Sequence, residues 1–133
     1  MQIVVFRLGD EQFAVETSRV QSIADMMKVT TVPNSPSHIE GLINLRGSII
    51  SLMDINLLLN VSHGNNDKTN VIILKVEDEL VGVSVNQVDE VLEVEEKDIQ
   101  KLDGDKAQAC IKGIVNLDDR IVTLVDIDKL LLN

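Results

Sequence analysis

Few side chains in this sequence could do chemistry, and their spacing does not gather them. His38, His63 and Cys110 are the only candidates for a neutral-pH base or a soft nucleophile. His63 falls in Ser62-His63-Gly64-Asn65-Asn66-Asp67-Lys68, a polar connector and a poor place to hold a catalytic geometry. His38 follows Pro36 in a loop, where a solvated ring is expected. Cys110 has no histidine near it in sequence and reads as a small apolar residue rather than a reactive thiol. A single cysteine allows no internal disulfide and fits a reducing compartment. Asp54-Ile55-Asn56 and Asp126-Ile127-Asp128 open like calcium loops but lack the later glycine and glutamate that complete one. Helix capping accounts for both aspartates without a metal. Glu93-Val94-Glu95-Glu96-Lys97-Asp98 reads as a solvated face and helix start. Dinucleotide, phosphate-loop, zinc-protease and serine-hydrolase patterns are absent from the sequence. The expectation is therefore no catalytic residue, no metal and no cofactor.

Charge narrows the partners further. The formal net charge is −10 over 133 residues. Residues 1–68 carry 7 acidic and 5 basic side chains, and residues 69–133 carry 15 and 7, so the second half is the acidic one. Such a field opposes nucleic-acid phosphates and anionic membranes, and no basic patch offsets it. It serves solubility, or steering toward a basic partner. The start of the chain lacks the charged-then-apolar pattern of a signal peptide, and no apolar run approaches the ~18–20 residues of a membrane span. A cytoplasmic protein without membrane insertion is expected. Asn60-Val61-Ser62 matches a glycosylation sequon by chance in that setting. What remains is a protein whose function is its surface.

The elements that carry this surface are duplicated. Gly41-Leu-Ile-Asn-Leu-Arg-Gly-Ser-Ile-Ile-Ser-Leu-Met-Asp-Ile-Asn56 recurs, 72 positions on, as Gly113-Ile-Val-Asn-Leu-Asp-Asp-Arg-Ile-Val-Thr-Leu-Val-Asp-Ile-Asp128. Each copy reads as a hairpin followed by a short helix capped by Asp54 or Asp126. Upstream, Gln2–Leu8 and Gln12–Val15 form a hairpin around Gly9-Asp10-Glu11, matched by residues 70–76 and 80–83. Glu16–Ile23 suggests about one helical turn, Met27–Val32 a half-buried strand ended by Pro33-Asn34-Ser35-Pro36, and residues 91–95 another strand. Residues 96–112 read as a charged excursion. Ile49 and Ile121 are placed in the core. With 44% hydrophobic residues but only 2% aromatic, the core is one of Val, Ile and Leu, which suits strands. The fold class is mainly β: one domain over 1–133, with five-stranded rolled sheets expected over about 1–62 and 70–133. A linker at about 62–69 joins them, and a groove lies at the seam.

Gly41–Asp54 closely resembles the signature hairpin of the bacterial chemotaxis coupling family CheW. Phe6-Arg-Leu-Gly-Asp-Glu-Gln-Phe13 and Val122-Thr-Leu-Val-Asp-Ile-Asp-Lys-Leu-Leu131 resemble it too, and the likeness runs in order over nearly the whole chain. It implies two SH3-like five-stranded barrels and a non-catalytic adaptor. Such an adaptor bridges the regulatory domain of the histidine kinase CheA and the cytoplasmic tip of chemoreceptors, alone as a monomer and assembled in arrays at the membrane. The implied receptor groove includes Val20, Ser22 and Arg46. An amphipathic tip wants an apolar floor and a charged rim, which Val20 and Arg46 can supply. Val20 reads equally as core, and Arg46 as a solvated turn residue. Gly41 and Gly47 set hairpin geometry beside the contact surface. Val29, Val32 and Ile39 are candidate kinase contacts from exposed-edge logic.

Ser22 departs from the family, which often has a glutamate there that could pair with the arginine at Arg46. The sequence also stops short of a C-terminal helix found in many relatives. Both departures leave open a second reading, a stand-alone regulator or competitor that binds the kinase or another signalling partner instead of a receptor. A small hydrolase is a third reading, which the lack of a catalytic set disfavours.

Overall fold

The computed structural model describes residues 1–64, 67–101 and 110–131. Its strands are β1 (Gln2–Leu8), β2 (Glu11–Glu16), β3 (Val20–Asp25), β4 (Ile39–Leu45), β5 (Ser48–Met53), β6 (Asn70–Val76), β7 (Glu79–Val85), β8 (Gln87–Glu93), β9 (Ile99–Gln100), β10 (Ile111–Leu117) and β11 (Arg120–Val125). Two short helices, α1 (Ile55–Leu59) and α2 (Ile127–Leu131), follow the two duplicated hairpins. Asp54 Oδ1 accepts from Leu57 N and Asp126 Oδ1 from Lys129 N, both at 3.2 Å, so the two aspartates cap as expected. Each cap is worth about 1 kcal/mol to a helix too short to hold itself.

The strands form a six-stranded sheet, ordered β8-β1-β2-β11-β10-β9, and a five-stranded sheet, ordered β3-β6-β7-β5-β4. The sheets do not follow the halves of the chain. The hairpin β1–β2 joins β8 to β11 from the second half, and the hairpin β6–β7 joins β3 to β5 from the first. The exchange is reciprocal in register. Phe13 of β2 lies opposite Thr123 of β11, and at the repeat-equivalent places Val81 of β7 lies opposite Ser51 of β5, both in parallel pairs.

Double burial explains the unbroken apolar runs Ile3-Val4-Val5-Phe6 and Val71-Ile72-Ile73-Leu74. In β1, Ile3 and Val5 face a core with Ala14, Val115, Val122 and Leu124. Val4, Phe6 and Leu8 face the opposite way, into a central core between the sheets. In β6, Val71 and Ile73 face a third core with Ile43, Ile50 and Leu52, while Ile72, Leu74 and Val76 join the central one. A strand buried on both faces has no polar side to alternate with. Ile55 and Leu59 of α1 and Ile127 and Leu130 of α2 also enter the central core. The two sheets and both helices therefore share one hydrophobic body.

Several local expectations are corrected. Thr17–Arg19 is a 3-10 turn, and Val20 and Ile23 lie on β3 rather than on one helical turn. Pairing with β6 supplies backbone partners that an isolated turn could not. Met27–Val32 is not a strand. Only Thr30 bridges to Leu42, with N to O distances of 2.9 and 2.8 Å, and Pro33 has no N–H with which to extend the pairing. The strand expected at 91–95 begins earlier, as β8. Of the excursion at 96–112, residues 102–109 lie outside the described residues. Ile49 and Ile121 are not core: they are 63% and 60% exposed, while Ile50 and Val122 are buried. Two adjacent apolar residues at each site made the phase of the alternation ambiguous. A charge placed at Ile49 or Ile121 would meet water, so little folding damage is expected of it.

Candidate functional site

Arg46 sits at the tip of the β4–β5 hairpin. Arg46 and Gly47 both have positive φ, 52° and 90°, the two-residue turn that fits the twist of a hairpin. Asn44 Oδ1 accepts from Gly47 N at 2.9 Å and closes the turn from inside. The guanidinium is left in solvent. The other three arginines all pair: Arg7 with Asp89 at 3.2 Å, Arg19 with Asp128, and Arg120 with Glu90 at 2.8 Å. Among the described residues, Arg46 is the arginine with no carboxylate beside it. The equivalent tip of the second hairpin carries Asp118 and Asp119, so the duplicated loops present opposite charge.

Val20 opens β3 opposite Leu74, is half-buried and packs against the central core. Ser22 lies opposite Ile73, with a bulge between the two. Strand β3 is one edge of the five-stranded sheet and β4 the other. No hydrogen bond or ion pair joins Arg46 to Val20 or Ser22 among the described residues. The chain leaving β3 crosses toward the β4 edge, held by Met26 N to Thr69 O at 2.9 Å and by the Thr30–Leu42 bridge. Val29 packs beneath this crossing against the core of the five-stranded sheet. Val32 is exposed at 38%, and Ile39 is half-buried at the start of β4 opposite Met53. The three candidate kinase contacts thus lie in one segment but differ in exposure.

Gly41 has a structural reason to be glycine. Its φ is +155°, and a Cβ there would overlap the Thr30 carbonyl oxygen and come within 2.8 Å of Val29 Cγ1. Gly113 repeats the device, with a Cβ 2.7 Å from the Gln100 carbonyl oxygen. Each duplicated hairpin is laid against a crossing segment, and Gly41 fixes the frame from which Arg46 projects.

Two depressions flank these elements. The first, about 550 Å³, lies beside the β4–β5 hairpin and is lined by Met27, Lys28, Thr30, Leu42, Ile43, Asn44 and Ile49. Its floor is apolar, Lys28 stands at its border, and Arg46 is two residues beyond Asn44. The second, about 510 Å³, opens between the β1–β2 turn, the end of α1 and the β10–β11 hairpin. Leu8, Phe13, Leu59, Val61 and Ile111 line it, with Asp10 and Glu11. Val20, Ser22 and Arg46 are not among the lining residues of either. Ile49 was missed by placing it inside. The available signal was the repeat, which keeps an isoleucine at both 49 and 121 beside a better core candidate.

Two of the residues first weighed for chemistry, His63 and Asp54, contact each other. His63 Nε2 lies 2.7 Å from Asp54 Oδ2, so the ring pins the connector to the α1 cap instead of hanging free in it. The Lys68 ammonium donates to buried Asn56 Oδ1 and, at 3.1 Å, to the Ser84 carbonyl. Burial lowers its pKa, opposed by the nearby charges of Asp54 and Glu40. Ser84 Oγ donates to Glu40 Oε1 at 2.8 Å, which extends this polar network to β4. Cys110 is half-buried, and burial pushes its thiol pKa up, away from the nucleophilic thiolate. No group of acidic, histidine and cysteine side chains that could hold a metal occurs among the described residues, and none of their helices is long and apolar enough to cross a membrane.

The profile of the CheW-like domain matches residues 2–133. A chemotaxis protein CheW of Klebsiella aerogenes is 32% identical, with 98% of this chain covering 81% of that protein. One of Rhizobium meliloti is 29% identical, at 96% and 85% coverage. The crystal structure of the scaffolding protein TtCheW from Thermoanaerobacter tengcongensis superimposes with a TM-score of 0.88 at 27% identity, over 97% of this chain and 86% of that one.

Proposed function

This chain belongs to the CheW-like domain family, and from that premise we propose that it is a non-catalytic adaptor of bacterial chemotaxis. It couples the regulatory domain of the histidine kinase CheA to the cytoplasmic tip of chemoreceptors, working in the cytoplasm and recruited to receptor arrays. The observation that carries this reading is the agreement in fold, over nearly the whole chain, with a protein described as a scaffold. A scaffold needs a rigid body that presents separate surfaces, and a shared central core provides the rigidity.

The receptor surface is placed around Arg46, with Val20 and Ser22 contributing from the opposite edge of the sheet. An exposed guanidinium with no internal carboxylate keeps its donors for a partner, and a bidentate carboxylate on a helical tip is the natural match. The apolar depression beside it supplies a floor. The kinase surface is placed on the crossing segment and start of β4, at Val29, Val32 and Ile39.

Arg46→Glu is expected to weaken binding of a receptor-tip fragment about tenfold or more, equivalent to ~1.4 kcal/mol. Its melting temperature should stay within a degree or two of the parent, because no internal contact is lost. Titration calorimetry with the tip fragment, beside a thermal melt, checks both. A sharp fall in melting with unchanged affinity of the folded fraction would make Arg46 structural. Ser22 favours a second reading. It brings no carboxylate to Arg46, so a regulator that binds the kinase and not a receptor remains the alternative, and receptor-tip binding separates the two.

A further inference from the structure

The topology is that of an exchanged dimer contained within one chain. Four strand pairs join the halves: β1 with β8, β2 with β11, β3 with β6 and β5 with β7. Each half donates its first hairpin and receives the other's at the equivalent place. Neither half completes a sheet from its own strands, because β3 and β5 flank β6–β7 while β8 and β11 flank β1–β2. The covalent link between the halves is the connector between Leu59 and Asn70.

We infer that a second copy of this chain is a built-in partner: the first half of one molecule can close on the second half of another, through the same four strand pairs, to give a reciprocally exchanged dimer. Every contact between halves is then made between chains, in unchanged register and with unchanged cores. The difference lies in the connector, whose contacts at Val61, His63 and Lys68 must open or be remade for it to lead to another second half. With the contacts between halves identical, connection entropy and the connector's own contacts decide the outcome. A short connector holds the two halves of one chain at an effective concentration in about the millimolar range, so a lone chain closes on itself in dilute solution and exchanges as protein concentration approaches that range. Breaking the dimer requires the β1–β8 and β3–β6 ladders to open, together with the central core. Once formed, it persists as long as the fold does. This inference rests on strand order and is independent of the adaptor reading.

The test is refolding of the intact chain from denaturant at about 1 mM and about 1 µM, followed by sizing after dilution to a common low concentration. The expected result is a dimer from the concentrated sample only, with the far-ultraviolet spectrum of the monomer, that does not decay over hours of dilution. A second measurement uses Gln2→Cys with Glu93→Cys in a Cys110→Ser background. These two positions are opposite in the β1–β8 register and exposed. Oxidation should link the dimer covalently between chains and leave the monomer linked within one chain. Monomer alone at both concentrations overturns the inference. So does a dimer that dissociates promptly on dilution, as a face-to-face contact would, or one whose disulfides stay within each chain.

Discussion

Gly41→Val is expected to cost about 3–5 kcal/mol of folding stability, a large part of the 5–15 kcal/mol that holds a typical domain. Two effects add. At φ +155° a β-branched residue is strained, worth ~1–3 kcal/mol. The added side chain also runs into the Thr30 carbonyl and Val29 Cγ1, so the crossing segment must lift off β4 and lose its two-hydrogen-bond bridge. Gly47→Ala is the control. Its φ is +90°, but nothing lies within 4 Å of the added carbon, so about 1 kcal/mol of backbone strain is all that is expected. Urea unfolding of the two variants checks the contrast. A Gly41→Val protein within 1 kcal/mol of the parent would mean that the crossing segment does not lie on β4 as described.

Phe6→Ala is the second large effect. Phe6 is fully buried in the central core and stacks on Phe13 with ring centroids 6.2 Å apart. Truncation should cost ~3–5 kcal/mol, the range for buried aromatics. The shape of the transition is as informative as its midpoint. Phe6 stands on β1, in the six-stranded sheet, but its ring lies in the central core that also holds Ile72, Leu74 and Val83 of the five-stranded one. Loss of the ring should therefore destabilise both sheets together, and calorimetry should show one cooperative transition shifted downward. Two separated transitions, with only one moved, would show that the sheets are independent bodies.

The sequence made much of this legible, and the rest was hidden for identifiable reasons. The repeat, both duplicated hairpins, the Asp54 and Asp126 caps and the turn at Arg46-Gly47 are local features, written in neighbouring residues. The exchange of hairpins is not local. The β1–β2 and β6–β7 hairpins are so alike in pattern that either could complete either sheet, and only packing decides. The run Ile3-Val4-Val5-Phe6 reads in sequence only as a first strand, and its burial on both faces emerges from the packing of two cores around it. Strand β8 was half-missed because Gln87, Asp89 and Glu90 give an edge strand little hydrophobic signature. Arg46 is singled out by the family resemblance; its turn alone reads as a solvated guanidinium. Its lack of an acidic partner could not be read from sequence, because Arg7 and Arg19 find their carboxylates in Asp89 and Asp128, far along the chain.

The proposed adaptor would hold two partners at once on separate surfaces. The direct measurement is analytical sedimentation of the chain with the cognate kinase regulatory domain and a receptor-tip fragment, singly and together. The account predicts binary complexes with each and a ternary complex when all three are mixed. Mutual exclusion of the two partners, or binding of the kinase domain with no affinity for the tip, would contradict it.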